Sequence, residues 1–263
     1  MAELPRLNED VFTMVLDNIS PQESTFHSVC LTNRWTSKYC RRRRFATVDL
    51  TSKPTTRAES TGVGLTYNTQ EFVQNFHRLL IDSPSITSYI KDFTFCIHRL
   101  HKRDPHPLSH VIRAMKQANL NHLYMMTSGY CMLDWSVDLH ENIVQELENL
   151  LLSRGVRSLS LYRVANIPFS TLSKVEILRA TALETLPMSS KSDFPPMLKQ
   201  LFINLNPSRA FQQWHSEGCN FSSLKAIELN WDSDPSENML PTLIQILQRS
   251  SQLTHLTISG NRS

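Results

Sequence analysis

A short pattern of apolar residues, apolar-x-x-apolar-x-apolar, recurs along most of this sequence after residue 85. Its last three positions alternate as they do in a β-strand with one buried face. The later copies begin about 26–30 residues apart, which is a period typical of repeat proteins. One strand and one return segment cannot bury an apolar face alone, so neighbouring units must stack into a continuous core with a parallel sheet. The six copies are Ile90-Phe93-Phe95, Leu120-Leu123-Met125, Val156-Leu159-Leu161, Leu198-Leu201-Ile203, Leu224-Ile227-Leu229 and Leu253-Leu256-Ile258.

One further strand is expected between residues 156 and 198, because the spacing there is too long for a single unit. Two segments fit the pattern, Leu172-Val175-Ile177 and Leu183-Leu186-Met188. The apolar spacing is the same in both, so the choice between them stays open at this point.

Helical faces lie between several of the expected strands. Apolar residues three and four positions apart form one stripe of an amphipathic helix. The alternation of helices and strands predicts an α/β fold, either an irregular solenoid or an ordinary α/β domain with a parallel sheet. The third helix is expected to start at a cap formed by Asp138 with Glu141 and to end at Gly155. The four faces are Phe72/Val73/Phe76/Leu79/Leu80, Leu108/Val111/Ile112/Met115, Ile143/Val144/Leu147/Leu150/Leu151 and Leu240/Leu243/Ile244/Leu247.

In a solenoid, the strand residues between the buried apolar positions face one concave surface. Mixed aromatic and polar side chains on such a surface suit protein recognition, since tyrosine and asparagine combine contact area with adaptable hydrogen bonds. The sequence therefore predicts a substrate-binding field on the sheet. Its candidate residues are Tyr124, Tyr162, Phe202, Asn204, Glu228, Asn230 and His255, with Ser160, Gln200 and Thr257 on the same face.

The first fifty residues have a different texture and are predicted to form three short helices. Apolar residues in 11–19 follow helical spacing, and Ser20 before Pro21 with Glu23 is typical of a second helix start. Asn33 is a candidate cap for a third helix that carries Trp35 and ends near the basic run Arg41–Arg44. About fifty residues bury little core alone, so the surplus apolar residues are expected to meet another surface.

Two segments of this region carry a resemblance to a known family. Residues 7–16 resemble the opening Leu-Pro-x-Glu-Ile/Leu-x-x-x-Ile of the F-box, and the Ser28-Val29-Cys30-Leu31 segment followed by Arg34-Trp35 is similar to its later Ser/Val-Cys-x-x-Trp part. Residues 43–50 are similar to the transition that follows many F-boxes. The repeats behind this region resemble the irregular leucine-rich repeats of large fungal F-box families.

This resemblance implies a substrate-recruiting adaptor of a cullin–RING ubiquitin ligase. The helices would bind the Skp adaptor, the repeats would bind an unknown protein substrate, and the transfer chemistry would belong to other subunits. The alternative is a repeat-type binding protein with no ligase connection, located in the nucleus. The positions implied for adaptor contact are Leu7, Val11, Val15, Leu16, Ile19 and Trp35.

The predicted domain organisation follows from these differences in residue pattern along the chain. Residues 1–50 form the F-box-like helical module, residues 51–69 read as a linker rich in Thr, Ser and Gly, and residues 70–263 form the repeat domain. The sequence stops directly after the last strand pattern. Because solenoids usually carry a polar terminal cap, an uncapped sheet edge or a truncated product is expected there.

Composition argues against several other classes of protein. Only six glycines are present, and no glycine-rich phosphate loop occurs, so a nucleotide-dependent enzyme is not expected. Five scattered cysteines without a Cys-x-x-Cys pair are typical of free thiols in the cytoplasm or nucleus. Neither a secretory signal nor a membrane-spanning apolar run is apparent. We expect no enzyme activity, no cofactor and no membrane partner.

Two clusters of polar residues have a functional and a plain interpretation. Cys96, His98, His101, His106 and His110 could ligate a metal, but interspersed cations and the single cysteine favour a polar loop. The basic run Arg41–Arg44 could bind nucleic acid or direct nuclear import, yet it lacks interleaved aromatics and suits a solvated helix end. We therefore expect neither a metal site nor a nucleic-acid partner.

Overall fold

The structure is a computed structural model. It describes residues 13–14, 16–18, 24–31, 34–51, 64–97, 107–127, 132–153, 156–181, 197–204, 221–231 and 239–260. The predicted helix caps at Ser20 and Asn33, and the predicted helix end at Gly155, lie outside these ranges.

Eight parallel strands form the main sheet, and they lie side by side in the order in which the chain reaches them. Every described strand of this sheet pairs in parallel with the one before it and the one after it. The sheet strands are β1 (Thr47–Asp49), β2 (Asp92–Ile97), β3 (His122–Thr127), β5 (Ser158–Tyr162), β7 (Ile177–Thr181), β8 (Gln200–Asn204), β9 (Ala226–Trp231) and β10 (His255–Gly260). The expected α/β fold with a parallel sheet is confirmed.

The six repeated strand patterns of the sequence are confirmed as β2, β3, β5, β8, β9 and β10. The seventh strand, β7, occupies neither of the two predicted registers. It turns Leu178 and Ala180 inward, with Val175 as the preceding buried residue. The first candidate segment was close in the chain, but its register was wrong by three residues. Residues 182–190, which hold most of the second candidate, lie outside the described part.

The helices cover one side of the sheet. They are α1 (Ser24–Cys30), α2 (Arg34–Arg44), α3 (Gly64–Asp82), α4 (Pro107–Met115), α5 (Glu141–Leu151) and α6 (Met239–Arg249). Two short 3₁₀ helices, Pro84–Tyr89 and Phe169–Leu172, make further connections. Helices α3 to α6 lie where the four amphipathic helices were predicted, although Phe72 of the predicted α3 face is exposed. Helix α3 packs on α4, which packs on α5.

Three details of the helices differ from the prediction. Helix α3 begins at Gly64, inside the stretch expected to be a linker. Helix α5 is capped by His140, whose Nδ1 accepts from the Asn142 N–H, because Asp138 instead accepts from the backbone of Asp134. In α6, Ile246 is buried and the predicted face residue Ile244 is exposed.

The core lies between the sheet and the helices. Strands β3, β5, β7, β8 and β9 each contribute two inward side chains and β2 contributes three, whereas helices α3 to α6 contribute the facing apolar residues. Phe93 and Phe95 of β2 stack with ring centroids 5.3 Å apart. The inward residues of successive strands stand next to each other because the register is parallel, so the core continues from Val48 in β1 to Leu229 in β9.

The boundary predicted at residue 50 cuts through the sheet. Strand β1 lies inside the segment predicted as the helical module, but it pairs with β2 and starts the main sheet. Its Val48 and the following Leu50 are buried in the common core. Helix α2 also packs against the 3₁₀ helix Pro84–Tyr89. The helical module is therefore joined directly to the sheet body.

A second, two-stranded parallel sheet pairs β4 (Leu133–Asp134) with β6 (Val164–Ala165). The Asp134 carboxylate organises the turn after β4, since it accepts from Ser136 N–H and Oγ–H, from Val137 N–H and from the Asn166 amide. Asn166 itself has a positive φ of 60°. This cluster of polar groups holds the turn that contains the buried Trp135.

The buried carboxylate of Glu146 on α5 pairs with two cations of the neighbouring α4 region. Its oxygens lie 2.8 Å from Arg113 Nε and 2.7 Å from Lys116 Nζ. Burial raises the pKa of Glu146, but Lys116 and Arg113 outweigh it, and the resulting pKa lies below the ordinary 4.5. A carboxylate with a lowered folded pKa stabilises the fold above its unfolded pKa, and this contribution disappears as pH falls through the folded pKa.

We expect Glu146→Gln to lower the free energy of unfolding at pH 7 by about 1–3 kcal/mol, because two cations lose their partner. Urea unfolding measured between pH 7 and pH 3 should show the gap to wild type closing below pH 4.5. Glu71→Gln on the exposed side of α3 is the control and should leave the unfolding curve unchanged. A gap that stays constant with pH would contradict this account.

Candidate binding surfaces

The parallel register arranges alternate strand residues in rows that cross the sheet. We call the central row the middle row, and the face that carries it the open face. From β1 to β10 the middle row consists of Asp49, Thr94, Tyr124, Ser160, Arg179, Phe202, Glu228 and Thr257.

The two faces of the sheet differ sharply in exposure. On the inner face, the residue that follows each middle-row position is buried from β2 to β9. On the open face, Arg179, Glu228 and Thr257 are exposed, whereas Tyr124 and Phe202 are half-buried. The open face therefore presents polar and aromatic groups, as the strand alternation predicts.

All seven residues predicted for substrate binding lie on the open face. Three of them stand in the middle row, three stand in the row on its carboxyl side, and one stands in the row on its amino side. Their common placement is confirmed, and their role in binding stays a prediction. In that order they are Tyr124, Phe202 and Glu228, then Tyr162, Asn204 and Asn230, then His255.

Arg179, at the centre of the open face, is the residue that sequence reasoning missed. It lies on β7, the one strand whose register could not be chosen, so its direction could not be assigned. Its guanidinium carbon is 4.4 Å from the centre of the Phe202 ring, and its Nη1 donates to Ser158 Oγ at 3.2 Å. The alternation Leu178–Ala180 around it was the available signal.

A cavity of about 390 Å³ opens beside Arg179 on the carboxyl-side half of the open face. Its polar lining includes the Asn204 and Asn230 amides, the Arg179 guanidinium and the Glu228 carboxylate. Within the described ranges, neither Arg179 nor Glu228 has an ion-pair partner. The lining residues are Arg179, Ala180, Thr181, Phe202, Ile203, Asn204, Glu228 and Asn230.

His122 and Ser160 join two strands on the other side of Arg179. His122 Nε2 lies 2.7 Å from Ser160 Oγ. Burial lowers the pKa of His122, and Arg179 adds to this while Asp92 opposes it. Burial also raises the pKa of Tyr124, and the neighbouring Tyr162 adds to the effect. The lowered pKa of His122 and the raised pKa of Tyr124 therefore favour the uncharged forms of both side chains at neutral pH.

The N-terminal helices form the second surface. Residues 13–17 are helical where they are described. Arg43 of α2 binds this segment, since it donates hydrogen bonds to the backbone carbonyls of Leu16 and Asp17. The Tyr39 hydroxyl donates to the Asp17 carboxylate, and burial together with Asp17 raises the pKa of Tyr39 to about 12. Tyr39 also stacks on Trp35 with ring centroids 5.6 Å apart.

Of the six residues implied for adaptor contact, only Leu16 and Trp35 are described. Leu16 is 1% exposed, so it packs inside the chain and the expectation of an adaptor contact through its side chain is wrong for this structure. Trp35 is half-buried. The apolar side chains that reach solvent here are instead Met14, 65% exposed, and Leu31, 87% exposed. Leu7, Val11, Val15 and Ile19 lie outside the described residues.

Two arginines of the basic run Arg41–Arg44 contact different parts of the chain. Arg43 points back to the first helical segment, as described above. The Arg42 guanidinium carbon lies 5.9 Å from the centre of the Tyr89 ring, on the 3₁₀ helix. At least these two arginines of the helix end, which was predicted to be solvated, therefore make contacts within the chain.

The suspected metal cluster is only partly described. Cys96 is buried, and burial raises the pKa of its thiol to about 12, whereas His110 is exposed and stacks on His77. His98, His101 and His106 fall outside the described ranges. Within those ranges, no group of three metal-ligating side chains is found.

Comparison with known proteins gives no relative for this chain. No family model matches it. No curated protein and no solved structure matches it either. Of the helices in the described ranges, none combines the length and the apolar character needed to cross a membrane.

Proposed function

We propose that this chain is a recognition subunit of a cullin–RING ubiquitin ligase. Its N-terminal helices bind a Skp-family adaptor, and the open face of its sheet binds a protein substrate. The observation that carries the proposal is the strand order, in which eight parallel strands follow the chain behind a short helical module.

Strand order favours a leucine-rich-repeat-like solenoid over an ordinary α/β domain. A doubly wound sheet reverses its strand order at a switch point, and ligands bind there. The described strands run in one direction from β1 to β10 without a reversal. In a solenoid each unit contacts only its neighbours, and the strands together present one extended binding surface.

The helical module supports the adaptor half of the proposal through its exposed side chains. Met14 and Leu31 are apolar residues exposed to solvent, and Leu31 lies close in sequence to the half-buried Trp35. Exposed apolar groups of this kind mark protein contacts when they lie near each other. The segment around Leu31 is also where this sequence resembles the F-box.

The test is binding of a purified Skp-family adaptor to the full chain. We expect wild type to bind, and Met14→Asp with Leu31→Asp to weaken binding about tenfold or more, because charges would enter an apolar interface. Both side chains are exposed, so the fold should survive. Phe72→Asp with Ile81→Asp, two exposed apolar residues on α3, is the matched control and should bind as wild type does.

Failure of wild type to bind the adaptor would contradict the ligase connection. The second candidate function, a repeat-type binding protein without a ligase, is favoured by the burial of Leu16, which removes one implied adaptor contact. A nuclear or nucleic-acid role through Arg41–Arg44 would instead give salt-sensitive binding to nucleic acid that is lost on Arg41–Arg44→Ala.

A further inference from the structure

Three consecutive residues of the middle row combine opposite charges around an aromatic ring. Arg179 on β7, Phe202 on β8 and Glu228 on β9 are direct neighbours in the register. Adjacent strands lie about 4.8 Å apart, so the backbones of Arg179 and Glu228 are separated by about 10 Å. We call this group the charged triplet. In the register, Phe202 stands between Arg179 and Glu228.

The cation of the triplet is held in place. The Arg179 guanidinium lies over the Phe202 ring and donates one hydrogen bond to Ser158 Oγ. Contact with an aromatic ring and one hydrogen bond restrict a side chain that otherwise has many rotamers. The remaining donors of the guanidinium are available to a ligand, and its planar fork suits a carboxylate.

The anion of the triplet has no ion-pair partner among the residues that the structure describes. Across the described residues, no cation lies within ion-pair distance of the exposed Glu228 carboxylate. The side chains of Asn204 and Asn230 line the same cavity. Asn230 Oδ1 is buried with no hydrogen-bond partner in the part of the chain that the structure describes. Buried polar atoms are nearly always satisfied, so this acceptor suits an N–H donor from a ligand.

We propose that the charged triplet binds a protein segment in which an acidic and a basic side chain flank an apolar one. The acidic group pairs with Arg179, the apolar group covers Phe202, and the basic group pairs with Glu228. The Asn230 amide accepts from the segment's backbone. This inference names the substrate class of the open face and rests on the substrate-binding half of the proposed function.

The proposal predicts selection by charge pattern. A segment with two acidic groups would place one of them against Glu228, and a segment with two basic groups would place one against Arg179. Like charges placed together at an interface suppress wrong partners more strongly than matched charges raise affinity. The triplet should therefore discriminate among segments of equal hydrophobicity.

The test is selection from an immobilised array of randomised twelve-residue peptides, probed with the purified full chain. Wild type should enrich peptides that carry one acidic and one basic residue around an apolar one. Arg179→Glu should instead enrich peptides with two basic residues, and Glu228→Arg should enrich peptides with two acidic residues. Each variant should bind the wild-type peptides about tenfold more weakly.

Matched controls carry the same charge changes on α3, away from the sheet. Arg78→Glu and Glu71→Arg alter exposed residues and should select the same peptides as wild type. Thermal unfolding of all four variants checks that each one is folded. The array needs no adaptor protein, so its result is independent of whether the helical module binds one.

Two results would overturn the proposal. One contradicts only the role of the charged triplet, and the other also contradicts recognition of a protein segment by the open face. If wild type enriches peptides without this charge pattern, or if the two sheet variants select as wild type does, the charged triplet is not the specificity element and the open face can still bind a protein. If wild type enriches no peptide, recognition of a protein segment by the open face is wrong as well.

Discussion

Replacing Phe93 by alanine is expected to lower the free energy of unfolding by about 3–5 kcal/mol. Phe93 is fully buried on β2, where it stands between Val48 of β1 and Leu123 of β3 in the register. Its ring also stacks on Phe95. The substitution removes the ring from the core and leaves a cavity that three strands cannot close.

Urea unfolding followed by far-UV circular dichroism measures this effect. Phe72→Ala on α3 makes the same chemical change at a residue that is 52% exposed, and it should cost under about 1 kcal/mol. Equal losses for the two variants would mean that β2 is not at the centre of the core. A protein that no longer folds on Phe93→Ala would agree with the upper end of the range.

Leu229→Ala should cost about 2–5 kcal/mol, whereas Ile258→Ala should cost about 1 kcal/mol or less. The two residues are register partners on β9 and β10, so they occupy the same position in adjacent strands. Leu229 is fully buried, but Ile258 is 46% exposed. The contrast isolates the effect of position in the sheet, since both substitutions remove a branched side chain of four carbons.

Chemical denaturation of both variants under one condition makes the comparison. A large loss from Ile258→Ala would mean that β10 is covered in solution, for example by another molecule. In that case the measurement is repeated at several protein concentrations. A contact between copies of the chain makes stability depend on concentration, whereas a cover within one copy does not.

The main sheet could be predicted from the sequence because the same short apolar pattern occurs in most of its strands. Each strand needs only three apolar residues at fixed spacing, and six of the eight strands carry large aliphatic or aromatic residues there. Strand β7 has Ala180 at its last inward position. Leu172 and Val175 before it produce a stronger pattern three residues earlier, so the small side chain hid the register.

Other features were beyond reach because tertiary contacts determine them. Strands β4 and β6 are two residues long, too short for any periodicity. Asp138 has the side chain of a good helix cap, but it is occupied by the turn after β4, and His140 caps the helix. Strand β1 belongs to the sheet only because β2 lies beside it after forty intervening residues.

On both candidate binding surfaces, the placement of some residues could be predicted from the sequence and that of others could not. Alternation along a strand is enough to assign residues to the open face, so Phe202 and Glu228 could be predicted to lie there. Arg179 could not, because its strand had no register. In the helical module, helical spacing placed Leu16 on an apolar face, but it could not show whether that face packs inside the chain or against a partner.

A sheet whose strands follow the chain order also has a consequence for how such a protein changes over generations. Duplicating or deleting one strand with its return segment alters the sheet by one strand width, about 4.8 Å, and leaves the remaining neighbour pairs as they were. A sheet with crossing connections has no such freedom. The spacing and identity of the side chains on the face can therefore be rearranged in whole steps, without inventing a new fold for each target.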